Sequence, residues 1–337
     1  MAVQHDALDR DKSREPRLRP DALRKINLGT SLRRALRRLL SPVRLVRSIG
    51  LHRARGAISR TKGDDGLKLY AELLPGDFLH FGFFADPNTD PREISLADLE
   101  RAQLAFTELF IERMHDKARP VLDVGCGMGG LSARLQAQGF VPVALTPDVH
   151  QIAHIEKKYP AIELVCGRFE DIDAVANAHR FGTIINSESL QYLDLEKTVK
   201  LVTQLLAPSG RWLIGDFFKT SAAYRGSGHP WDRFREVLAA HGLSIVHERD
   251  ISANAGVTLR YIHMLADKVG LPVLRYGLGT LARKQPGVHA LFEEFFDDLS
   301  AFAHERTDRL NPENQVRERR YLFVEVARAD EGAGRPE

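Results

Sequence analysis

The 337-residue chain has only two cysteines, Cys126 and Cys166, and neither belongs to a CxxC pair. Two isolated cysteines provide neither a disulfide framework nor the spacing of a zinc site, so we expect no metal and a reducing, cytoplasmic environment. The sequence also lacks internal repeats and any apolar run near the roughly 18 residues that a membrane-spanning helix needs. Its first residues lack the apolar core of a secretory signal, and we therefore expect no such leader.

The composition itself is that of a water-soluble folded protein. Hydrophobic residues make up 43% of the chain and charged residues 28%. These fractions exclude collagen-like, coiled-coil and wholly disordered proteins. A chain of this length can bury a large core and corresponds to about two domains, or to one large domain with insertions.

Charge is distributed unevenly along the chain. Residues 1–60 contain 16 Lys and Arg against five Asp and Glu, whereas the remainder has more acidic than basic residues. Residues 1–25 are polar and without periodicity, which predicts a disordered tail. Residues 26–62 form a basic arm in which apolar residues repeat at helical spacing and arginines occupy the opposite face. The apolar positions are Leu32, Leu36, Leu39, Leu40 and Val43, and the arginines are Arg33, Arg34, Arg37 and Arg38.

This basic arm is open to more than one interpretation. An amphipathic basic helix favours peripheral contact of residues 26–60 with an anionic membrane, at its inner, cytoplasmic face. Packing on the acidic remainder of the chain, or on a partner subunit of a homo-oligomer, is the alternative. A mitochondrial presequence is disfavoured because acidic residues precede the arm.

From residue 63 onward the pattern is that of a folded α/β protein. Residues 63–118 predict a helical amino-terminal cover around an aromatic-rich turn. Alternating strand and helix patterns then predict a Rossmann-like core, residues 119–252 and 313–328, with a seven-stranded, mostly parallel sheet and helices on both faces. Residues 253–312 are too long for a connector and predict a helical lid, and residues 329–337 a tail. The predicted strands are Val121–Val124, Val141–Leu145, Ile162–Val165, Thr183–Ile185, Trp212–Ile214, Leu243–Val246 and Tyr321–Val326.

The most informative motif lies where the first predicted strand ends. Residues 121–130 read Val-Leu-Asp-Val-Gly-Cys-Gly-Met-Gly-Gly. Glycines let the backbone turn sharply and approach a ligand, and the following helix start offers free N–H groups. Since ligands of open parallel sheets bind beyond the carboxyl ends of the strands, this loop predicts a cofactor site. The spacing of Gly125, Gly127 and Gly130 also matches the dinucleotide fingerprint, so a nicotinamide-dependent oxidoreductase stays an alternative.

The acidic residue two positions before the first glycine distinguishes these cofactors. With Asp123 in that place, the motif resembles the first motif of class I S-adenosylmethionine (SAM) methyltransferases, and the resemblance covers about residues 65–328. It implies SAM as cofactor, with Asp123 near the amino group of its methionine moiety. The glycine loop would back the adenosyl part through Gly125, Cys126, Gly127 and Gly129.

Further segments resemble the cyclopropane-fatty-acid synthases and their methyltransferase relatives. Their Leu-Ser-Pro-Glu variant corresponds to residues 145–148, which implies that Thr146 or Asp148 contacts the ribose, although Asp148 suits a helix cap equally well. After the third strand, Phe169 would pack on the adenine and Glu170 or Asp171 accept from its amine, although Arg168 replaces the usual acid there. A helix cap is the alternative role of Asp171. Upstream, Tyr70, His80 and Gln103 resemble the cofactor-covering segment, with packing as the alternative role.

The segment Asn186-Ser-Glu-Ser-Leu190 resembles the Glu-Ser-Leu turn of natural-product tailoring methyltransferases, including sugar O-methyltransferases and geranyl diphosphate C-methyltransferase. This resemblance implies that Ser187 contacts the cofactor and that Glu188 lines the catalytic site beside the sulfonium. Asp216 matches the acid of the substrate pocket in that group, and His80, His229 and His263 are further candidates for a catalytic base. The histidines that serve the sugar enzymes as base are absent, because Gln191 and Tyr192 stand there.

The sequence therefore predicts a SAM-dependent methyltransferase acting by in-line displacement on a small-molecule or lipid-like acceptor. A cyclopropane-synthase-like lipid enzyme is the closest alternative, although Gln191-Tyr192 replaces the Glu-His pair of its bicarbonate site. An oxidoreductase would need a Tyr-x-x-x-Lys or His/Asp pair that the sequence does not convincingly show. Nucleic acid is disfavoured as substrate, because the catalytic part is acidic and lacks the Asn/Asp-Pro-Pro-Tyr motif of base methylation.

Overall fold

A computed structural model describes most of the chain after the basic arm. The described residues are 76–329 apart from 115, 222, 223, 225 and 313–317. The predicted disordered tail, the basic arm and Tyr70 therefore lie outside the described residues. All of the described residues belong to one compact unit.

A mixed β-sheet forms the centre of this unit. Its strands are β1 (Val121–Val124), β2 (Pro142–Thr146), β3 (Glu163–Cys166), β4 (Phe181–Ser187), β5 (Leu206–Lys219), β6 (His229–Pro230), β7 (Leu243–Asp250) and β8 (Arg319–Arg328). The order across the sheet is β3-β2-β1-β4-β5-β8-β7, and the short β6 pairs with the end of β5. Strands β1 to β5 are parallel, whereas β8 runs antiparallel between β5 and β7. The predicted seven-stranded, mostly parallel sheet is confirmed.

Helices cover both faces of the sheet. They are α1 (Leu96–Ile111), α2 (Gly130–Ala137), α3 (Val149–Lys158), α4 (Leu195–Leu205), α5 (Trp231–Ala240), α6 (Ser252–Leu265), α7 (Leu271–Lys284), α8 (Pro286–Leu291) and α9 (Glu293–Arg309). Successive strand residues point to opposite faces, so each strand contributes to two cores. On β5, Trp212 and Ile214 pack with α4 and α5, whereas Leu213 packs with α1, α2 and α6.

The residues before α1 cover the carboxyl edge of the sheet. Residues 76–84, the covering segment, contain no helix or strand. Backbone bonds tie the segment to α1 and α6: the Phe83 N–H donates to the Ala102 carbonyl at 2.8 Å, and the Gly82 N–H donates to the Thr258 hydroxyl at 3.0 Å. The described part of the predicted helical cover is thus helical only in the short turn Pro91–Glu93 and in α1.

The described part of residues 253–312 is almost entirely helical, as the sequence predicts. A π-helical stretch, Ala266–Gly270, joins α6 to α7, and α8 and α9 follow along the chain before β8. A cavity of about 370 Å³ lies between α7 and α9. Leucines and Phe296 line it together with polar and charged residues, among them Arg275, Asp297 and His304. Within the described residues, no helix has the length and apolar character required to cross a membrane.

Candidate active site

The loop after β1 is built on three left-handed glycines. The φ angles are +74° at Gly125, +57° at Gly127 and +86° at Gly129. Such angles are strained for residues with a Cβ. The N–H groups of Gly125 and Cys126 both donate to the Leu145 carbonyl, at 2.8 and 3.1 Å, which anchors the loop to β2. The backbone of this glycine loop, which has few side chains to cover it, therefore lies at the carboxyl edge of the sheet, as the motif predicts.

Asp123 lies on β1 directly below this loop. Its side chain is buried, and the Ser132 hydroxyl donates to its Oδ2 at 2.6 Å. Burial raises the pKa of Asp123 to about 6, although the bond from Ser132 opposes the shift. Burial and the nearby Asp123 also raise the pKa of the Cys126 thiol well above its usual value, so this cysteine stays protonated.

The two ribose candidates lie at the end of β2, the strand beside β1. The Thr146 hydroxyl donates to Gln151 Oε1 at 2.6 Å, and the Asp148 N–H donates to Thr146 Oγ1 at 3.2 Å. Asp148 Oδ1 accepts from the N–H groups of His150 and Gln151, at 2.8 and 3.4 Å, and so caps α3. The helix-cap role that the sequence left open for Asp148 is present.

The adenine candidates Phe169 and Glu170 lie after β3 and differ in exposure. Phe169 is fully buried in the core between the sheet and α4. Glu170 is half-buried, and the Arg168 guanidinium contacts its Oε1 at 3.2 Å. Burial alone would raise the pKa of Glu170, but a backbone hydrogen bond and Arg168 outweigh it and lower the pKa.

Three buried polar atoms near the covering segment and β4 have no hydrogen-bond partner among the described residues: His80 Nε2, Gln103 Oε1 and Ser187 Oγ. Gln103 Nε2 donates to the carbonyls of Phe78 and His80, at 3.1 and 2.8 Å. His80 Nδ1 lies 2.9 Å from the Phe81 carbonyl and must donate to it, which leaves Nε2 as an acceptor. Burial lowers the pKa of His80 to about 4, so the ring is neutral at pH 7.

Glu188 follows β4 and is held from two sides. Its backbone has a φ of +53°, a strained value for a residue that is not glycine. The Phe81 N–H and the Tyr321 hydroxyl both donate to its Oε1, at 2.6 and 2.7 Å. Burial raises the pKa of Glu188 to about 7, against the opposing effects of these two hydrogen bonds and of Arg319.

Asp216 lies near the end of β5 and is fully buried. Its Oδ1 accepts from the Phe217 N–H at 2.7 Å and its Oδ2 from the Gln191 N–H at 3.1 Å. Burial, together with the charge of Glu188, raises the pKa of Asp216 to about 7. The structure therefore places two mutually repelling carboxyl groups at adjacent strand ends.

The last strand supplies residues that sequence reasoning did not assign to the site. Tyr321 pairs with Phe217 across β5 and β8, and their rings lie 4.5 Å apart. The Phe81 ring meets that of Phe217 edge-on at 5.6 Å. The Arg319 guanidinium lies 4.4 Å from the Phe217 ring centre. Only the pairing of β8 with β5 reveals these residues, and the sequence carries no local signal for that pairing.

The comparisons with known proteins identify the domain type. Residues 121–210 match the family described as "Methyltransferase domain". An uncharacterized methyltransferase from Alkaliphilus oremlandii is 32% identical over 107 residues, 31% of this chain and 48% of that protein. The chloroplastic tocopherol O-methyltransferase of Arabidopsis thaliana is 26% identical over 185 residues, covering 48% and 50% of the two chains. The chain thus spans about half the length of these curated relatives.

Solved structures share the fold. The geranyl diphosphate C-methyltransferase of Streptomyces coelicolor A3(2) aligns with a TM-score of 0.53 and 15% identity, over 76% of this chain and 93% of that one. A mycolic acid cyclopropane synthase aligns with a TM-score of 0.52 and 15% identity, over 78% and 93%. These structures confirm the predicted resemblance of the fold, and the strand order agrees with it. The chain contains a class I methyltransferase domain, a family whose cofactor is SAM.

Proposed function

We propose that this protein transfers a methyl group from SAM to a small-molecule acceptor. One observation carries the proposal: two features meet at the carboxyl edge of the sheet. A loop of three left-handed glycines follows β1, and the carboxyl groups of Glu188 and Asp216 lie at the ends of the neighbouring strands β4 and β5. When bound, SAM supplies an electrophilic methyl group on a positively charged sulfur.

The residues of the chain suit this cofactor. The glycine loop permits close approach, and we assign Asp123 to the methionine end, Thr146 and Asp148 to the ribose and Glu170 to the adenine. Phe169, which is buried in the core, would contact the adenine only if its neighbours moved. Gln103 Oε1, His80 Nε2 and Ser187 Oγ are buried without partners among the described residues. An unsatisfied buried polar atom costs about 1–3 kcal/mol, so these atoms favour a polar ligand that pairs with them.

The main catalytic task is alignment in a water-poor site. The rings of Phe81, Phe217 and Tyr321 pack beside Glu188 and limit the access of water. Among Glu188, Asp216 and His80, Glu188 is the one that remains partly exposed. We therefore assign Glu188 to the acceptor, Asp216 to its electrostatic environment, and neutral His80 to the covering segment.

The acceptor is, in our proposal, lipid-like or another apolar metabolite. The aromatic rings beside Glu188 favour an apolar group. The names of two similar proteins contain tocopherol, which is lipophilic, and geranyl diphosphate, whose geranyl chain is apolar although its diphosphate is charged. Ring formation as in cyclopropane synthases is a weaker candidate, because Gln191 and Tyr192 stand in place of the Glu-His pair.

The proposal is tested with methyl-labelled SAM, the purified protein and a host-cell extract that is then partitioned. We expect label in the organic phase. Gly127→Val should abolish this transfer and SAM binding, because Gly127 lies in the loop at φ +57°. The matched control is Gly139→Val, at φ +83° with open space around it, which should retain both. Failure of the wild-type protein to bind SAM by calorimetry would contradict the proposal, and label in the aqueous phase would contradict the apolar acceptor.

A further inference from the structure

Three elements fix Glu188. Its Oε1 accepts from the Phe81 N–H of the covering segment at 2.6 Å and from the Tyr321 hydroxyl of β8 at 2.7 Å. Its own N–H donates to the Gly215 carbonyl of β5 at 2.8 Å. The left-handed backbone at φ +53° persists because these contacts determine it. Glu188 is therefore rigid without being a residue of the apolar core.

The two oxygens of this carboxyl group differ. Oε1 is satisfied by two donors, whereas no described residue donates to Oε2. A carboxylate oxygen accepts more than one hydrogen bond, so Oε2 keeps its full capacity. Since Glu188 also retains partial exposure, Oε2 is the oxygen that a bound molecule can reach.

The groups that face Glu188 set its affinity for a proton. Asp216 on β5 repels its charge, whereas Arg319 and the hydroxyl of Tyr321, both on β8, stabilise the ionised form. With burial included, the pKa of Glu188 lies at about 7. A base of that strength suits the removal of a proton from a hydroxyl group near neutral pH. Methylation of an alkene carbon would instead form a carbocation, and the C–H group of a carbocation is so acidic that its proton needs no base of this strength.

We propose that Tyr321 is a positioning residue which, with the Phe81 N–H, directs Oε2 of Glu188 to a hydroxyl group on the acceptor. This inference rests on the methyltransferase function proposed above. The hydroxyl oxygen forms a bond to the methyl carbon while the carbon–sulfur bond breaks and its electron pair stays on sulfur. The hydroxyl proton passes to Glu188 Oε2 and then to water. The products are a methyl ether and S-adenosylhomocysteine.

The test follows the carboxyl carbon of Glu188 by ¹³C NMR, assigned through its loss in Glu188→Gln. In the wild-type protein we expect a titration midpoint near pH 7. Tyr321→Phe keeps the ring contacts but removes one hydrogen bond to the charged form, so the midpoint should rise by about one unit. The matched control Tyr261→Phe removes the hydroxyl of a buried tyrosine on α6 and should leave the midpoint unchanged.

The same variants are titrated with SAM and assayed with the labelled cofactor and extract across pH. Tyr321→Phe should bind SAM normally, and the acidic limb of its rate profile should move up with the NMR midpoint. An equal loss of rate at every pH, with an unmoved midpoint, would show a merely structural role. Wild-type rate in Glu188→Gln, or label on carbon instead of in a methyl ether, would overturn the hydroxyl assignment. Failure of the wild-type protein to bind SAM would instead refute the function proposed above.

Discussion

At the scale of single residues, Gly125 shows why the loop after β1 requires glycine. A Cβ built there lies 2.6 Å from the Ser189 Cβ. Ser189 cannot move away, because its hydroxyl donates to the Val124 carbonyl at 2.5 Å and accepts from Asn186 at 2.8 Å. The left-handed backbone and the tight contact therefore act together at this position.

We predict that Gly125→Ala lowers the free energy of unfolding by about 3 kcal/mol, from backbone strain and overpacking combined. Gly139→Ala is the matched control, since Gly139 has a similar φ of +83° and no atom within 4 Å of its built Cβ. The control should lose only about 1 kcal/mol, the strain alone. Urea unfolding of both variants measures the difference. Equal losses of unfolding free energy would show that Ser189 moves away from the added Cβ.

The buried carboxyl of Asp123 makes stability depend on pH. Its folded-state pKa of about 6 lies above the usual 3.8, so the folded protein binds the proton more tightly than the unfolded chain. This contribution to stability is fully present below pH 4 and is lost as the pH rises through about 6, on the order of 3 kcal/mol. We predict that Asp123→Asn gains stability relative to wild type over that interval. Thermal unfolding between pH 4 and 8 measures it, and a pH-independent difference would contradict the prediction.

At the scale of elements, Asp77 fastens the covering segment to α3. Its Oδ1 lies 3.1 Å from His154 Nε2, and its Oδ2 accepts from the Tyr159 hydroxyl at 2.5 Å and from Lys158 at 2.7 Å. The Asp77 carbonyl also accepts from the Gly130 N–H at the start of α2, at 3.3 Å. Burial opposes the charge of this carboxyl, but the bonds from Lys158 and Tyr159 outweigh it and lower the pKa of Asp77.

We predict that Asp77→Ala loosens the covering segment and weakens SAM binding about fivefold, which corresponds to about 1 kcal/mol. The reason is that the segment adjoins the glycine loop, where Leu79 lies against Gly127. Asp90→Ala is the control, because Asp90 pairs only with the exposed Arg92 nearby. Calorimetric titration of both variants with SAM gives the comparison. Unchanged affinity for Asp77→Ala would show that the anchoring of the covering segment by Asp77 does not contribute to SAM binding.

A second element-scale contact joins β8 to β5 and to Arg113, which follows the end of α1. The buried Glu325 carboxylate lies 3.6 Å from Arg113 and 3.3 Å from Arg211. We predict that Glu325→Ala costs about 3 kcal/mol, since it leaves two guanidinium groups without their carboxylate. Glu196→Ala, which breaks the exposed pair with Arg233, should cost less than about 1 kcal/mol. Chemical unfolding distinguishes the two, and similar losses would mean that Glu325 is well solvated.

The elements also show what a single sequence predicts. Apolar runs located every long strand, and the glycine loop located the carboxyl edge of the sheet, because both signals are local. The antiparallel insertion of β8 between β5 and β7 is a non-local choice, so the roles of Tyr321 and Arg319 stayed hidden. The covering segment has no periodic pattern, since backbone bonds to α1 and α6 hold it. The sequence therefore predicted only an aromatic-rich turn within a helical cover, and not an irregular segment over all of residues 76–84.

At the scale of the whole molecule, charge is distributed unevenly along the chain. Residues 1–60 carry a large excess of basic residues, and the chain after them carries an excess of acidic ones. If the acceptor is lipid-like and lies in a membrane, contact of the basic arm with that membrane would bring the enzyme to its acceptor. The arm would then bring an acidic catalytic unit to an anionic surface that otherwise repels it.

We therefore predict that the full-length protein binds vesicles containing phosphatidylglycerol and not vesicles of phosphatidylcholine alone. Changing Arg33, Arg34, Arg37 and Arg38 to Gln should weaken this binding by about two to three orders of magnitude, since each basic residue near an anionic surface contributes about 1 kcal/mol. The same variant should bind SAM as the wild-type protein does, because residues of the arm are no part of the proposed cofactor site. Vesicle co-sedimentation at low and high salt measures the effect. Equal sedimentation of both proteins would assign the arm to packing on the chain or on a partner subunit, and salt-independent binding would show that its leucines act without its arginines.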